Sequence, residues 1–373
     1  MSKHVSSLTL LLAVLALLFG WMESGGSAQV EVKNCSICHG KQSYKRYVLP
    51  SGDVADLFVD EAVLAGSVHH ERECIGCHAD VTTVPHEGYK PKPVDCTRCH
   101  YLGNPVKAPQ SETYQAYLES AHGQALAKGI EKAPRCQDCH GTHDVQKNES
   151  PDSLVSQFMV SDTCAACHRK AWDDFRQSIH GISLYDKRSA DAPACTSCHG
   201  EHGIFAKDDP RSRTNLSHVI DDCAECHEAM EIVGKYGVSI SQIETYRKSF
   251  HGIASRFGST VAANCASCHG HHLVLPQNDP RSTVSIENIP KTCGQLACHE
   301  GAGTNFAIGK VHVNPEEEES GMVYYVSTFF RYFTALVILG LVVHIALDLG
   351  RRFLGIKKQK SGKEGESAGK EGS

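Results

Sequence analysis

The sequence predicts a mainly α-helical protein with extensive loops and little sheet, ending in one transmembrane helix. Three observations carry that expectation. The 373 residues include 18 cysteines and 23 histidines, far above ordinary usage. Aromatic residues make up only 7%, so a large apolar core is poorly supplied and something other than side chains is expected to fill the interior. Near the C-terminus an apolar run, Val323 to Leu349, is long enough to cross a bilayer. The formal net charge of −6 argues against nucleic-acid binding.

Residues 1–28 read as a secretory signal. Lys3 and His4 precede an apolar run from Leu8 to Trp21, and the small residues Gly26-Ser27-Ala28 follow it. That is the order of a charged region, an apolar region and a cleavage site after Ala28. An uncleaved N-terminal anchor is the alternative. In either case the chain is exported to a compartment where disulfides are permitted.

All 18 cysteines fall into pairs, and a histidine follows the second cysteine every time. Eight pairs are CxxCH: Cys35, Cys38 and His39; Cys74, Cys77 and His78; Cys96, Cys99 and His100; Cys136, Cys139 and His140; Cys164, Cys167 and His168; Cys195, Cys198 and His199; Cys223, Cys226 and His227; Cys265, Cys268 and His269. The ninth, Cys293, Cys298 and His299, has four residues between its thiols. CxxCH is the attachment signal of c-type haem. Two thiols bond to the porphyrin and the adjacent histidine ligates the iron. Disulfides would leave nine trailing histidines unexplained. Zinc sites do not demand a histidine after each pair, and iron–sulfur ligation fails on the same ground. The expectation is nine covalently bound haem c groups.

Three dihaem units share one plan over residues 111–315. In each, the first cysteines of the two motifs are 28 residues apart: 136 to 164, 195 to 223 and 265 to 293. Upstream lies an aromatic-x-x-Ser-x-His-Gly element, at Tyr117–Gly123, Phe175–Gly181 and Tyr246–Gly252. The first motif of each unit extends into CHGxH, ending at His143, His202 or His272. Each unit thus holds two haem motifs and two further histidines. Because His199 already takes one side of its own iron, the CHGxH histidines are expected to ligate neighbouring haems. Residues 29–110 form a less regular trihaem region with spare histidines at His69 and His86, and His312 follows the last motif. The expected distal ligands are His69, His86, His122, His143, His180, His202, His251, His272 and His312. Either His70 or His271 could replace its neighbour, and His218 could displace His312.

Tyr114, Tyr117, Leu118 and Ala121 recur at helical spacing, and Gly123 behind His122 reads as a helix C-terminus. Asp-Pro-Arg-Ser at 209–212 and again at 279–282 marks matching turns. Nine macrocycles in about 270 residues leave roughly 30 residues each, too few for stacked layers of regular structure. The haems are therefore expected to be the core, and the apo chain to fold poorly.

From Cys35 to His299, on these nine motifs and their doubled arrangement, the chain resembles the exported multihaem c-type cytochromes. The resemblance implies haems stacked closely along the chain, most irons carrying two histidines, and electron passage between them. In related reductases the catalytic haem often has a lysine in place of the proximal histidine or lacks a distal ligand. No CxxCK occurs here, and all nine motifs end in histidine. Electron transfer is the first expectation. A multihaem reductase of a small nitrogen or sulfur oxyanion is the second, with the longer Cys293–Cys298 loop as the place where a haem face would open. Metal storage or structural zinc is the third.

Residues 316–352 hold a juxtamembrane segment and the transmembrane helix. Glu316 to Glu319 precede the apolar run, and Arg351, Arg352, Lys357, Lys358 and Lys360 follow it. The positive-inside rule then puts the tail in the cytoplasm and the large N-terminal domain in the periplasm. Residues 353–373, rich in Gly, Ser, Lys and Glu, read as a disordered tail. His344 lies within the span, where an ionisable side chain normally faces protein, and Asp348 one turn on is placed to orient it. A single helix cannot build a four-helix b-type cytochrome but can dock on one. The expected location is the bacterial cytoplasmic membrane, crossed once. The expected partners are a membrane b-type cytochrome or quinol-oxidising subunit, and periplasmic or outer-membrane redox proteins.

Overall fold

The computed structural model describes residues 34–42, 46–48, 54–84, 86, 92–109, 112–239, 241–307 and 311–367. The expected signal segment, 1–28, lies outside them. The described chain is mainly helical, in short pieces. The front region holds α1 (Ser36–His39), the antiparallel pair β1 (Arg46–Val48) and β2 (Val54–Asp56), α2 (Glu61–Ala65), α3 (Cys74–Cys77) and a 3-10 turn at Cys96–Arg98. The first repeat contributes α4 (Glu112–Glu119), α5 (Ala121–Ala127), α6 (Cys136–His140) and α7 (Val160–Ala165). The second contributes α8 (Arg169–Gln177), α9 (Ile179–Tyr185), α10 (Cys195–His199) and α11 (Val219–His227), followed by α12 (Met230–Tyr236). The third contributes α13 (Ser241–Lys248), α14 (Phe250–Arg256), α15 (Cys265–His269) and α16 (Ile289–Cys293). After α17 (Thr304–Ala307) comes the long α18 (Met322–Ser367). Among the described residues, sheet is confined to β1 and β2.

Each repeat opens with two helices that meet at a serine. Ser120, Ser178 and Ser249 have extended backbones, with φ of −66, −73 and −72°. Each hydroxyl accepts from the N–H of the glycine three residues on, at 3.1, 3.1 and 3.2 Å. Each also donates to the carbonyl three residues back, at 2.6, 2.7 and 2.7 Å. One side chain thereby closes the first helix and caps the second. This corrects the expectation that Gly123 ends a helix. Gly123, Gly181 and Gly252 are each the third residue of a new one. A Cβ there would stand 2.8, 2.9 and 2.8 Å from the Cα atoms of Leu118, Arg176 and Arg247, and closer still to the carbonyl oxygens of Tyr117, Phe175 and Tyr246. Glycine is needed because the two helices touch backbone to backbone.

By backbone contacts the chain divides into Met1–Cys167 with Glu201–Ile204, and His168–Gly200 with Phe205–Ser373. The boundary therefore falls inside the first repeat and not at residue 110. Within the first unit the repeat is tied to the front region. Val68 N–H donates to the Val145 carbonyl at 2.9 Å, and Gln146 Nε2 to the Gly66 carbonyl at 3.0 Å.

The interior is short of apolar side chains, as the composition suggests. Among the described residues the largest fully buried side chains are Leu184 and four serines, Ser120, Ser153, Ser161 and Ser178. At the other end, the Met322–Phe353 part of α18 is long and apolar enough to cross a membrane. Its backbone stays helical through Ser367, where composition suggests disorder. Lys, Gln and Glu favour helix, and extending an existing helix needs no new nucleus. The Asp348 carboxylate pairs with Arg352 at 2.9 Å, so it does not orient His344 as the sequence suggests.

Candidate functional site

In the first motif of each repeat, the CxxCH segment is itself a turn of helix, α6, α10 or α15. The residue before the second cysteine reaches back to the start of that turn. Asp138 Oδ2 accepts from Arg135 N–H at 2.6 Å, and Ser197 and Ser267 Oγ accept from Ala194 and Asn264 N–H at 3.1 Å each. Three-residue spacing on a helix puts both thiols on one face. The glycine that follows, Gly141, Gly200 or Gly270, has φ of +85, +79 or +76° with ψ near 180°, a conformation essentially reserved for glycine. It turns the chain sharply off the helix, so the last histidine of CHGxH leaves in a different direction from the first.

Those histidines meet others. Ring centroids are 5.9 Å apart for His39 and His86, 6.2 Å for His100 and His69, and 6.2 Å for His78 and His143. They are 5.8 Å apart for His140 and His202, 6.1 Å for His199 and His272, and 6.2 Å for His227 and His180. For His269 and His312 the distance is 6.3 Å, and for His299 and His251 it is 5.9 Å. Every one of these eight pairs joins a motif histidine to a member of the expected distal set. His122 stands in α5 where His180 stands in α9 and His251 in α14, and His168 immediately precedes α8.

The spacing suits a ligated iron. Two imidazole nitrogens at about 2 Å on opposite faces of one metal put the ring centroids about 6 Å apart. The second ring nitrogens support the same use. The Nδ1–H groups of His39, His100 and His312 donate to the carbonyls of Leu57, Pro109 and Gln242 at 2.8, 3.0 and 2.9 Å, leaving Nε2 with its lone pair, as metal-ligating histidines are usually held. Burial, helped by the His227 ring, pushes His180 down to about 4. Burial likewise lowers His78, His140, His251 and His269, each assisted by its partner ring. All are thus held in the neutral form that can ligate.

The pairing follows a rule. Histidines of the Ser-x-His-Gly element meet the second motif of their own repeat, as His180 meets His227 and His251 meets His299. Histidines of CHGxH meet the motif of the preceding segment, as His143 meets His78, His202 meets His140 and His272 meets His199. A backbone bond accompanies each backward step. Val68, Ala121 and Ile179 N–H donate to the carbonyls of Val145, Ile204 and Val274 at 2.9, 2.8 and 2.9 Å. These residues were not singled out from the sequence. Their signal was there: an apolar residue two places after each CHGxH histidine.

The spare histidines have other work. His218 Nδ1–H donates to the Ser212 carbonyl at 2.9 Å, and the matching residue of the third repeat, Asn288, does the same to Ser282 at 2.9 Å. His218 is a turn clasp, and His312 takes the place beside His269. His70 bonds the Ser67 carbonyl at 3.0 Å, while His271 lies edge-on to His272 at 4.8 Å.

The thiols are ordered too. Cys35 shares a hydrogen bond with Cys74, Cys96 with Cys136, and Cys223 with Cys265. Second cysteines lie within electrostatic reach of one another at Cys77 and Cys99, Cys139 and Cys167, and Cys198 and Cys226. Within each compact unit, consecutive motifs therefore meet alternately through first and second thiols. None of the 18 cysteines is in a disulfide. Among the described residues no three of His, Cys, Asp and Glu gather as a bare metal site. No family model, curated protein or solved structure matches the chain.

Proposed function

We propose that the chain is a membrane-anchored nonahaem c-type cytochrome that transfers electrons on the periplasmic side of a bacterial cytoplasmic membrane. One observation carries this: eight motif histidines each face a second histidine across about 6 Å. The bound groups would supply one-electron centres. The chain's own residues do the rest. The paired cysteines hold each group covalently, and the two imidazoles occupy both axial positions and shut out exogenous ligands. By the repeat's plan the Cys164 motif takes His122.

Closing both axial positions favours transfer over catalysis, because a reductase needs an open coordination site for its substrate. The alternating thiol contacts favour passage from each motif to the next in sequence. The apolar part of α18 supplies the anchor, and a quinol-oxidising subunit or b-type cytochrome in the same membrane is the proposed partner on one side. Periplasmic or outer-membrane redox proteins are proposed on the other, as in anaerobic respiration.

Intact-mass measurement and pyridine haemochrome assay of the purified protein should give nine covalent haems, all low-spin in the ferric state. A haem-free product, or a majority of high-spin haems, overturns the proposal. Measuring haem b separately in the co-purified material identifies the membrane partner.

A further inference from the structure

The third repeat carries an apolar face that its counterparts lack. Phe250, Ile253 and Phe257 fall at helical spacing on α14, with Val261 just beyond, and they are 81, 47, 78 and 84% exposed. The matching positions of α9 are Ile179, Ile182 and Asp186, and those of α5 are Ala121, Gln124 and Lys128. In the second repeat this face receives the next repeat, through the bond from Ile179 to Val274. No repeat follows the third, and Phe250 N–H has no backbone acceptor among the described residues. His251 looks elsewhere, towards His299.

The membrane helix locates this face. Arg331 and Arg351 are 20 residues apart (351 less 331), about 30 Å of helix at about 1.5 Å per residue, the thickness of the hydrocarbon core. Aromatic residues from Tyr324 to Phe333 crowd the Arg331 end, as they do at membrane interfaces. Arg331 therefore marks the outer headgroup level. It bonds Glu316 at 3.3 Å, and the Lys248 ammonium lies within electrostatic reach of both. Lys248 is two residues from Phe250.

We propose that the Phe250–Ile253–Phe257 face, with Val261, docks into the outer headgroup and upper acyl region of the bilayer that α18 crosses. This rests on the membrane-anchored reading above. The anchor then holds the third repeat against the lipid, with the His251–His299 pair beside the surface.

The test uses the full-length, haem-loaded protein in nanodiscs of phosphatidylethanolamine and phosphatidylglycerol, doped with a phospholipid that carries a photoactivatable group in its acyl chain. Peptide mapping after illumination should find lipid adducts on residues 250–261 as well as on α18. Phe250→Glu with Phe257→Glu should lower adducts at 250–261 by about tenfold or more, the effect of withdrawing one or two aromatic side chains from the lipid, with haem content and α18 labelling unchanged. Should the double variant lose haem, Phe257→Ser gives the same comparison more mildly. Labelled α18 with unlabelled 250–261 overturns the docking alone. Cross-links from 250–261 to a co-purifying protein in place of lipid also overturn it. An α18 without adducts overturns the anchoring and the docking together.

Discussion

The serine elbow makes a quantitative prediction for Gly181→Ala. The new Cβ would lie 2.9 Å from Arg176 Cα and nearer to the Phe175 carbonyl oxygen, where ordinary contact begins at 3.4 Å. Helix α9 must therefore move off α8 by at least 0.5 Å (3.4 less 2.9), and by more at Phe175. That oxygen is fixed backbone, held by Ser178 Oγ at 2.7 Å. Overpacking of this kind costs about 1–3 kcal/mol, and a strained Ser178 cap adds up to about 1 kcal/mol. His180 is the adjacent residue and moves with the helix, whereas its partner His227 sits 6.2 Å away, a separation with little slack for two metal–nitrogen bonds of about 2 Å. The expected result is one high-spin haem in nine, counted by low-temperature EPR, with the total unchanged by pyridine haemochrome. Gly234→Ala in α12, where a Cβ meets nothing within 4 Å, is the control and should leave every haem low-spin. A fully low-spin spectrum and an unchanged Tm in Gly181→Ala would refute the link between the elbow and ligation.

Three further outcomes are expected. His202→Met should raise the potential of a single haem, that of the Cys136 motif, on the order of 0.1 V, seen as one displaced wave in a spectroelectrochemical titration. Cys293→Ala with Cys298→Ala should remove one haem mass from the intact protein and no more. Acid should destabilise the protein through His180: an unfolded imidazole binds a proton near its ordinary 6.5, while burial and the His227 ring hold the folded one near 4. The stability it contributes is thus complete above 6.5 and declines by about 1.4 kcal/mol per pH unit as pH falls towards 4. Denaturant titrations should show that slope reduced in His180→Asn; equal slopes in the two proteins would refute the assignment.

The cysteine pairs and their histidines were legible because covalent attachment fixes a local pattern, and the distal candidates because the repeat places them at constant offsets. Which candidate meets which motif was less legible. The backward step from His202 to His140 depends on the turn at Gly200 and on the bond from Ala121 to Ile204, both of which involve chain far away in sequence. Ser-x-His-Gly was misjudged for a similar reason. A glycine behind a histidine suits a helix end as well as a helix contact, and only the backbone of residues 117 and 118 decides between them. His218 was ambiguous until Asn288 was seen doing the same task in the matching turn. The division at Cys167 follows from ties such as that between Val68 and Val145, which composition does not display.

The backward pairing also bears on how such a chain lengthens and ends. His78, His140 and His199 each meet a histidine 65, 62 or 73 residues downstream (143 less 78, 202 less 140, 272 less 199). A segment therefore leaves one position open for its successor and fills one in its predecessor. Whole repeats can be inserted or deleted without inventing a new contact, because each brings both halves of the joint. The array still needs a terminator, as stacked repeat proteins need a capping unit. His312 is that terminator. It meets His269 from only 43 residues on (312 less 269), outside any CHGxH, on the segment that leads into the membrane helix, so the stretch that stops the array is also the stretch that moors it.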